Sequence, residues 1–244
     1  MNAFAPLFVP PELERAVSDQ AWLAGMLEAE RALVNAEAIA GVVPAHLAGA
    51  ISDRCRADLY DIEALCREGR AVANPAEPLV RALRAGLPAE AAGFVHWGAT
   101  SQDIVDTAAM LIARHALRLI DGWLGETAGR CAALARAHRA TPIAGRTLLQ
   151  QAVPTTFGLK AAGWLLGVRE ARALVTHVRD RRLCAQLGGA VGSLQVLGTR
   201  GGDVVRLYAR ELDLPEPAAP WHTRRIALIE LGAALAAAAA AAAK

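Results

Sequence analysis

Between Gly93 and Thr107 the chain reads Gly-Phe-Val-His-Trp-Gly-Ala-Thr-Ser-Gln-Asp-Ile-Val-Asp-Thr, which crowds an imidazole, hydroxyls, an amide and two carboxylates into one short stretch. His96 can titrate, Thr100 and Ser101 can donate hydrogen bonds, and Asp103 can accept them. Gly93 and Gly98 bracket His96, and glycine permits turns closed to other residues. Apolar periodicity resumes at Ile104, Ala108, Leu111 and Ile112, so the stretch reads as a polar loop entering a helix N-terminus. Such a terminus carries free N–H groups and partial positive charge, and it attracts carboxylates. Thr100, Ser101 and Asp103 also suit the plainer task of capping the long helix, and the loop taken alone favours capping.

A second polar segment, Gly145-Arg-Thr-Leu-Leu-Gln-Gln-Ala-Val-Pro154, reads as a loop opening another long helix. It supplies Arg146, Thr147, Gln150 and Gln151. The two segments together offer a cation, hydroxyl and amide donors, and an imidazole. That set suits a small polycarboxylate, which neutral donors would fix and Arg146 would offset in charge. A structural ion pair would account for Arg146 equally well. Other chemistries lack their signatures. The glycines from Gly188 to Gly202 follow no predicted strand, so they make no dinucleotide or phosphate loop. No serine occupies a nucleophile elbow, and no histidine pair has metal spacing, so no metal is expected. His46, His115, His138 and His177 stand isolated on predicted helices, while His222 beside Trp221 is open to either a structural or a chemical role.

The elements that must position these groups are helical. Hydrophobic residues make up 54% of the 244 residues and aromatics 5%, with alanine and leucine prominent, as expected of helices packed on helices. A net charge of +2, dispersed along the chain, argues against nucleic acid as a partner. The four cysteines show no CxxC pairing and read as reduced thiols. The N-terminus lacks the basic region and apolar run of a secretory signal, and the alanine tail is too weakly hydrophobic to span a membrane, so a cytoplasmic protein is expected.

Taken in order, residues 1–17 read as an irregular arm with Pro6, Pro10 and Pro11. Ser18 or Asp19 caps a helix with Leu23, Met26, Leu27, Leu33 and Val34 on one stripe, ended by Gly41 and Pro44. Short helices follow near Pro44–Arg56, Asp61–Arg70 and Glu77–Leu87. One long helix runs from about Gln102 to Arg139, where Thr141-Pro142 stops it. A second runs from about Thr155 to Leu183. Gln186 to Gly202 reads as a glycine-rich loop or broken helix, Asp203–Leu212 as a short amphipathic helix, and Trp221 onward as helix. Strand signals are nearly absent. The eight alanines after Leu235 read either as a low-complexity helix or as positions that carry no sequence information.

The segment His96-Trp-Gly-Ala-Thr-Ser-Gln-Asp103 resembles the His-x-Gly-x-Thr-Ser-x-Asp signature of the fumarase/aspartase superfamily. Gly145-Arg-Thr147 with Gln150 and Pro154-Thr-Thr-Phe-Gly158 is similar to its second signature. Within that superfamily several words resemble the bacterial 3-carboxy-cis,cis-muconate cycloisomerases. These are Asn74-Pro75-Ala-Glu-Pro78-Leu-Val80, Phe157-Gly-Leu-Lys-Ala-Ala-Gly-Trp164, Gln186-Leu-Gly-Gly-Ala-Val-Gly192 and Pro220-Trp-His222. The resemblance implies an all-α fold of the long-helix-bundle type, with an N-terminal helical domain (residues 1–101) and an incomplete central bundle (102–244). It implies a homotetramer whose sites are shared between subunits, with no metal and no organic cofactor. It further implies that His96, Thr100, Ser101, Arg146, Thr147 and Gln150 face the substrate. The reaction would be addition of one carboxylate of 3-carboxy-cis,cis-muconate across a double bond, giving a carboxymuconolactone in aromatic-acid catabolism (the protocatechuate/β-ketoadipate route).

Two departures qualify what carries over. Lyase relatives place a catalytic histidine where this chain has Leu148, which cannot transfer a proton; the cycloisomerases also lack that histidine. The proton donor is thus unassigned. The superfamily's flexible Gly-Ser-Ser-x-Met-Pro-x-Lys-x-Asn loop is absent, so the chain reads as the front part of such a protein, and a protein ending at Lys244 is expected to be inactive. The rivals are a superfamily lyase such as adenylosuccinate lyase, against which Leu148 weighs, and a helical scaffold relative that has lost catalysis.

Overall fold

A computed structural model describes residues 7–244. Unit one groups Met1–Ala116 with Leu183–Arg225, and unit two groups Leu117–Arg182 with Ile226–Lys244.

Unit one opens with α1 (Pro11–Ala16), where the sequence had suggested irregular chain. Pro11 takes the first helical position, which needs no N–H, and Glu12 and Glu14 favour the positive end of the dipole. The expected arm otherwise reaches into residues 1–6, outside the described part. Helix α2 (Asp19–Ile39) starts at Ser18, whose side chain accepts from Ala21 N. Its predicted stripe is the buried one, with Leu23, Met26, Leu27, Leu33 and Val34 all withdrawn from solvent. Each such side chain contributes about 1.5–3 kcal/mol on burial.

Helices α3 (Ala45–Arg54), α4 (Ile62–Val72), α5 (Ala76–Ala85) and the single turn α6 (Ala89–Ala92) follow. Asp61 caps α4 by accepting from Glu63 N and Ala64 N. Val34 of α2 joins Leu47 and Ile51 of α3, Val80 and Leu83 of α5, and Val95 in one apolar cluster. That cluster is the floor on which the His96 turn rests.

The long helix α7 (Ser101–Ala137) begins one residue before the expected start. Within unit one, Gly25 of α2 comes so close to Ala108 that an added Cβ would lie 3.3 Å from the alanine methyl. The chain from Leu183 continues through a 3-10 turn (Gln195–Arg200) and α9 (Gly201–Glu211).

Unit two holds the rest of α7, strands β1 (Pro142–Thr147) and β2 (Gln150–Thr156), α8 (Phe157–Arg181) and α10 (Ile226–Ala242). Asp121 of α7 receives Arg172 Nε at 2.6 Å and Arg179 Nη1 at 2.8 Å, both from α8. Their hydrogen bonds, led by Arg172, hold the Asp121 carboxyl below the usual carboxylate range. Thr156 caps α8, and Gly158 admits the His138 carbonyl, 2.9 Å from its N–H; an added Cβ would lie 2.7 Å from that oxygen.

Among the described residues the fold is helical, as expected, apart from one antiparallel hairpin. The second polar segment is that hairpin and not a loop, with Thr147 paired to Gln150 and a bulge between Ala144 and Arg146. Two things hid it. Its strands are exposed along most of both faces, so no buried alternation marks them. Its two-residue turn is Leu148-Leu149, at φ 47° and 64°, where asparagine and glycine normally serve.

Candidate functional site

The site is best built outward from Asp103. It occupies the third position of α7, and its carboxylate reaches back to accept from Thr100 N at 3.0 Å. This is one half of a capping box, with aspartate in place of glutamate; the Asp103 N–H donates to the Thr100 carbonyl. The same carboxylate accepts from Gln186 Nε2 at 2.8 Å, Gly188 N at 3.1 Å and Gly189 N at 2.8 Å. Its two oxygens thus serve four donors in a fully buried setting. Asp103 is a structural clasp that binds the α7 N-terminus to the Gly188-Gly189 loop. Gly189 is required there, because it sits at φ +72° and a Cβ would lie 2.8 Å from the Gly98 carbonyl.

The second carboxylate of the opening stretch is occupied as well. Asp106 is buried and takes Arg225 in a two-pronged pair at 2.6 and 2.8 Å, with Gln102 Nε2 at 2.8 Å. Thr107 Oγ1 donates to the Gln186 carbonyl and accepts from its N–H, each at 3.0 Å. Capping and clasping therefore account for Asp103, Asp106 and Thr107. They leave His96 and Ser101 exposed to another task.

His96 sits at φ 60°, a conformation that costs a non-glycine residue about 1–2 kcal/mol. Its Nδ1 lies 2.5 Å from Oε1 of Glu30, a buried carboxylate on α2. Because that oxygen accepts, Nδ1 donates and Nε2 is left for another partner. His96 and Ser101 line a cavity of about 370 Å³ together with Glu77, Val80, Arg81 and Arg84. These four α5 residues fall at the i, i+3, i+4 and i+7 positions of one helix face. Arg84 Nη2 donates to the Val95 carbonyl at 2.9 Å and so anchors the residue before His96. Arg81 pairs with Glu68 at 2.6 Å and lies 3.8 Å from Glu77 Oε2, a buried oxygen that has no hydrogen bond among the described residues. A cavity of this size, with an imidazole, a hydroxyl and two guanidinium groups against the one carboxylate of Glu77, can hold a small anion.

Sequence reasoning missed Arg81, Arg84 and Glu30. The arginines carried a readable signal, since they share a face with Glu77 on a helix whose apolar side alone was followed. Glu30 carried one too, as a carboxylate set into the apolar stripe of α2. Of the residues expected to face substrate, His96, Thr100 and Ser101 belong to unit one, and Arg146, Thr147 and Gln150 to unit two. Thr147 and Gln150 close the hairpin, and neither lies at a helix N-terminus, as the loop reading had it. Arg146, Thr147 and Gln150 are all exposed.

A second cavity in unit one, about 350 Å³, is lined by Trp22, Leu23, Met26, Ile62 and Leu65 among others, and only Asp19 gives it charge. It lacks the convergent polar groups of the first. The thiol of Cys55 is pushed up to about 12, chiefly by burial, and so is unreactive at neutral pH. Among the described residues, no group of three or more His, Cys, Asp or Glu could hold a metal ion, and no helix is long and apolar enough to cross a membrane.

A family model described as "Lyase" matches residues 11–244. A 3-carboxy-cis,cis-muconate cycloisomerase of Bradyrhizobium diazoefficiens is 44% identical over 235 residues, 95% of this chain and 52% of that protein. A nitrosuccinate lyase of Streptomyces davaonensis is 47% identical over 240 residues, 94% of this chain and 50% of that protein. The crystal structure of 3-carboxy-cis,cis-muconate lactonizing enzyme from Pseudomonas putida superposes with a TM-score of 0.94 at 41% identity, covering 97% of this chain and 55% of that one. The chain spans about half the length of the curated relatives it matches.

Proposed function

We propose, because the chain belongs to the lyase family of the fumarase/aspartase superfamily, that it contributes to a cofactor-free cycloisomerase acting on 3-carboxy-cis,cis-muconate. The observation that carries this reading is the cavity at the start of α7. It joins two residues of the family-like signature, His96 and Ser101, to Arg81 and Arg84, which that signature does not contain. In the proposed reaction, a substrate carboxylate oxygen bonds to one carbon of a double bond and the neighbouring carbon takes a proton. Between those events negative charge collects on the carboxylate attached to that neighbouring carbon, as in an aci-carboxylate. Donors aimed at that charge lower the barrier. His96, Thr100, Ser101 and the two arginines are assigned that binding role, with Arg146, Thr147 and Gln150 contributed by a neighbouring subunit of a homotetramer. The division at residue 101, a cytoplasmic location and a place in aromatic-acid catabolism belong to the same proposal.

The 47% identity to a nitrosuccinate lyase favours a second reading, a lyase whose substrate carries a nitro group where the first has a carboxylate. A nitro group and a carboxylate are both flat and have two oxygens, so the same donors suit either.

The test offers the protein carboxymuconate, nitrosuccinate and adenylosuccinate in parallel and follows lactone, nitrite and fumarate. Lactone formation that falls about tenfold or more in Ser101→Ala supports the leading reading. Nitrite or fumarate release in its place would transfer the assignment to a lyase. No product and no saturable binding of any of the three would leave a scaffold. Ser101→Ala is a cleaner variant than His96→Ala, which would also strand the buried carboxylate of Glu30.

A further inference from the structure

The segment Pro220-Trp-His222 carries part of the family likeness, yet none of the contacts assigned above uses His222. Gln186 shows how the ring is held. Its side chain is fully buried, and its partners fix which way the amide points. The Asp103 carboxylate only accepts, so the atom 2.8 Å from Oδ1 is the amide nitrogen. The Trp221 N–H only donates, so the atom 2.6 Å from it is the amide oxygen. One amide hydrogen serves Asp103, and His222 Nδ1 lies 3.1 Å from the same nitrogen. An amide NH₂ has no lone pair to offer, so Nδ1 is the acceptor and carries no proton. In the neutral ring the proton then resides on Nε2. Among the described residues Nε2 has no hydrogen-bond partner, and it is not one of the buried unsatisfied atoms.

We propose that Gln186 holds His222 as its Nε2–H tautomer, so that His222 donates a hydrogen bond to the anion bound beside the α7 N-terminus. Three hydrogen bonds in series link His222 to that terminus: Gln186 Nε2 donates to His222 Nδ1 and to Asp103, and Thr100 N donates to the same carboxylate. Gly192 of the same glycine-rich loop packs on the ring, an added Cβ there lying 3.5 Å from Cε1. His222 is proposed as a substrate-binding residue, with Gln186 as its positioning residue. A ring fixed in this tautomer steadies charge by donation and does not pass its proton to carbon, because the reprotonation site at Nδ1 faces a donor. This assignment rests on the polycarboxylate reading of the site.

The test uses the intact protein with nitrogen-15 in its histidine rings and propane-1,2,3-tricarboxylate as probe. Long-range proton–nitrogen correlation, assigned through the backbone, reports which nitrogen of each ring is protonated. His222 is expected to show a bare Nδ1 and a protonated Nε2, and its Nε2 and the His96 ring should shift along one saturation curve. His222→Gln, whose amide nitrogen reaches the Nε2 position, should keep probe affinity within about twofold. His222→Asn, whose amide reaches only the Nδ1 position, should weaken binding about tenfold. A protonated Nδ1 in the wild-type protein overturns the inference without any variant. So does a probe that shifts His96 and leaves His222 unmoved, an outcome that keeps the polycarboxylate site. A probe that shifts neither ring and shows no binding removes the site itself, and the inference with it.

Discussion

Replacing Asp103 by asparagine preserves shape and removes one acceptor oxygen. In the native chain Oδ1 serves Gln186 Nε2 and Gly188 N, and Oδ2 serves Thr100 N and Gly189 N. Whichever way the new amide turns, its NH₂ faces two donors, so two charge-assisted bonds are lost at about 1.5–3 kcal/mol each. That is roughly 3–6 kcal/mol with the surroundings held still. The glycines of the clasp can move and admit water, so a net loss of about 3 kcal/mol is expected. With a urea dependence of about 2 kcal/mol per molar, the unfolding midpoint should fall by about 1.5 M, read by circular dichroism. Asp203→Asn is the matched control. It removes an exposed i,i+3 pair with Arg206 and should cost no more than about 0.5 kcal/mol. Hydrogen exchange adds a local readout, since the Gly188 and Gly189 amides should lose protection beyond the global change. If Asp103→Asn shifts the midpoint no further than Asp203→Asn, and those amides stay protected, the clasp does not hold the site together.

Glu37 is buried without a hydrogen-bond partner among the described residues, and burial, aided by the charge of Glu30, pushes its carboxyl up to about 9. The folded state then keeps a proton that the unfolded chain releases near 4.5, so stability is full below that pH and is lost as pH rises toward 9. Between pH 4.5 and 7, about 2.5 pH units at about 1.4 kcal/mol each, the loss is roughly 3 kcal/mol. Glu37→Gln should flatten that slope and make the protein more stable than wild type at pH 8 in urea titrations; equal slopes for the two proteins would refute the assignment. Leu148 and Leu149 are almost wholly exposed at positive φ, so Leu148→Asn with Leu149→Gly should raise stability by about 1–2 kcal/mol. A lower thermal midpoint for that double variant would mean that the leucines are held by contacts a lone chain does not make.

Much of the fold was legible along the chain because its signals are short-ranged. Ser18, Asp61 and Thr156 announce helix starts within three residues of the N–H groups they cap. The stripe from Leu23 to Val34 announces its buried face by spacing alone. The two signature-like segments pointed to a superfamily because their order and spacing can be read without coordinates. What the sequence could not supply was the partner of each polar group, since those partners lie far away along the chain. Asp103 meets Gln186 across 83 residues, His96 meets Glu30 across 66, and Arg225 meets Asp106 across 119. Only those meetings separate the clasp from the site: Asp103 and Asp106 are occupied on every side, while His96 and Ser101 are left to line a cavity. The hairpin escaped for a related reason. Its strands bury neither face, so the pairing of Thr147 with Gln150 left no mark in the hydrophobic pattern. Hydrophobic order is written locally because each element must hide one face; the pairing of charges and donors is decided only when those faces close.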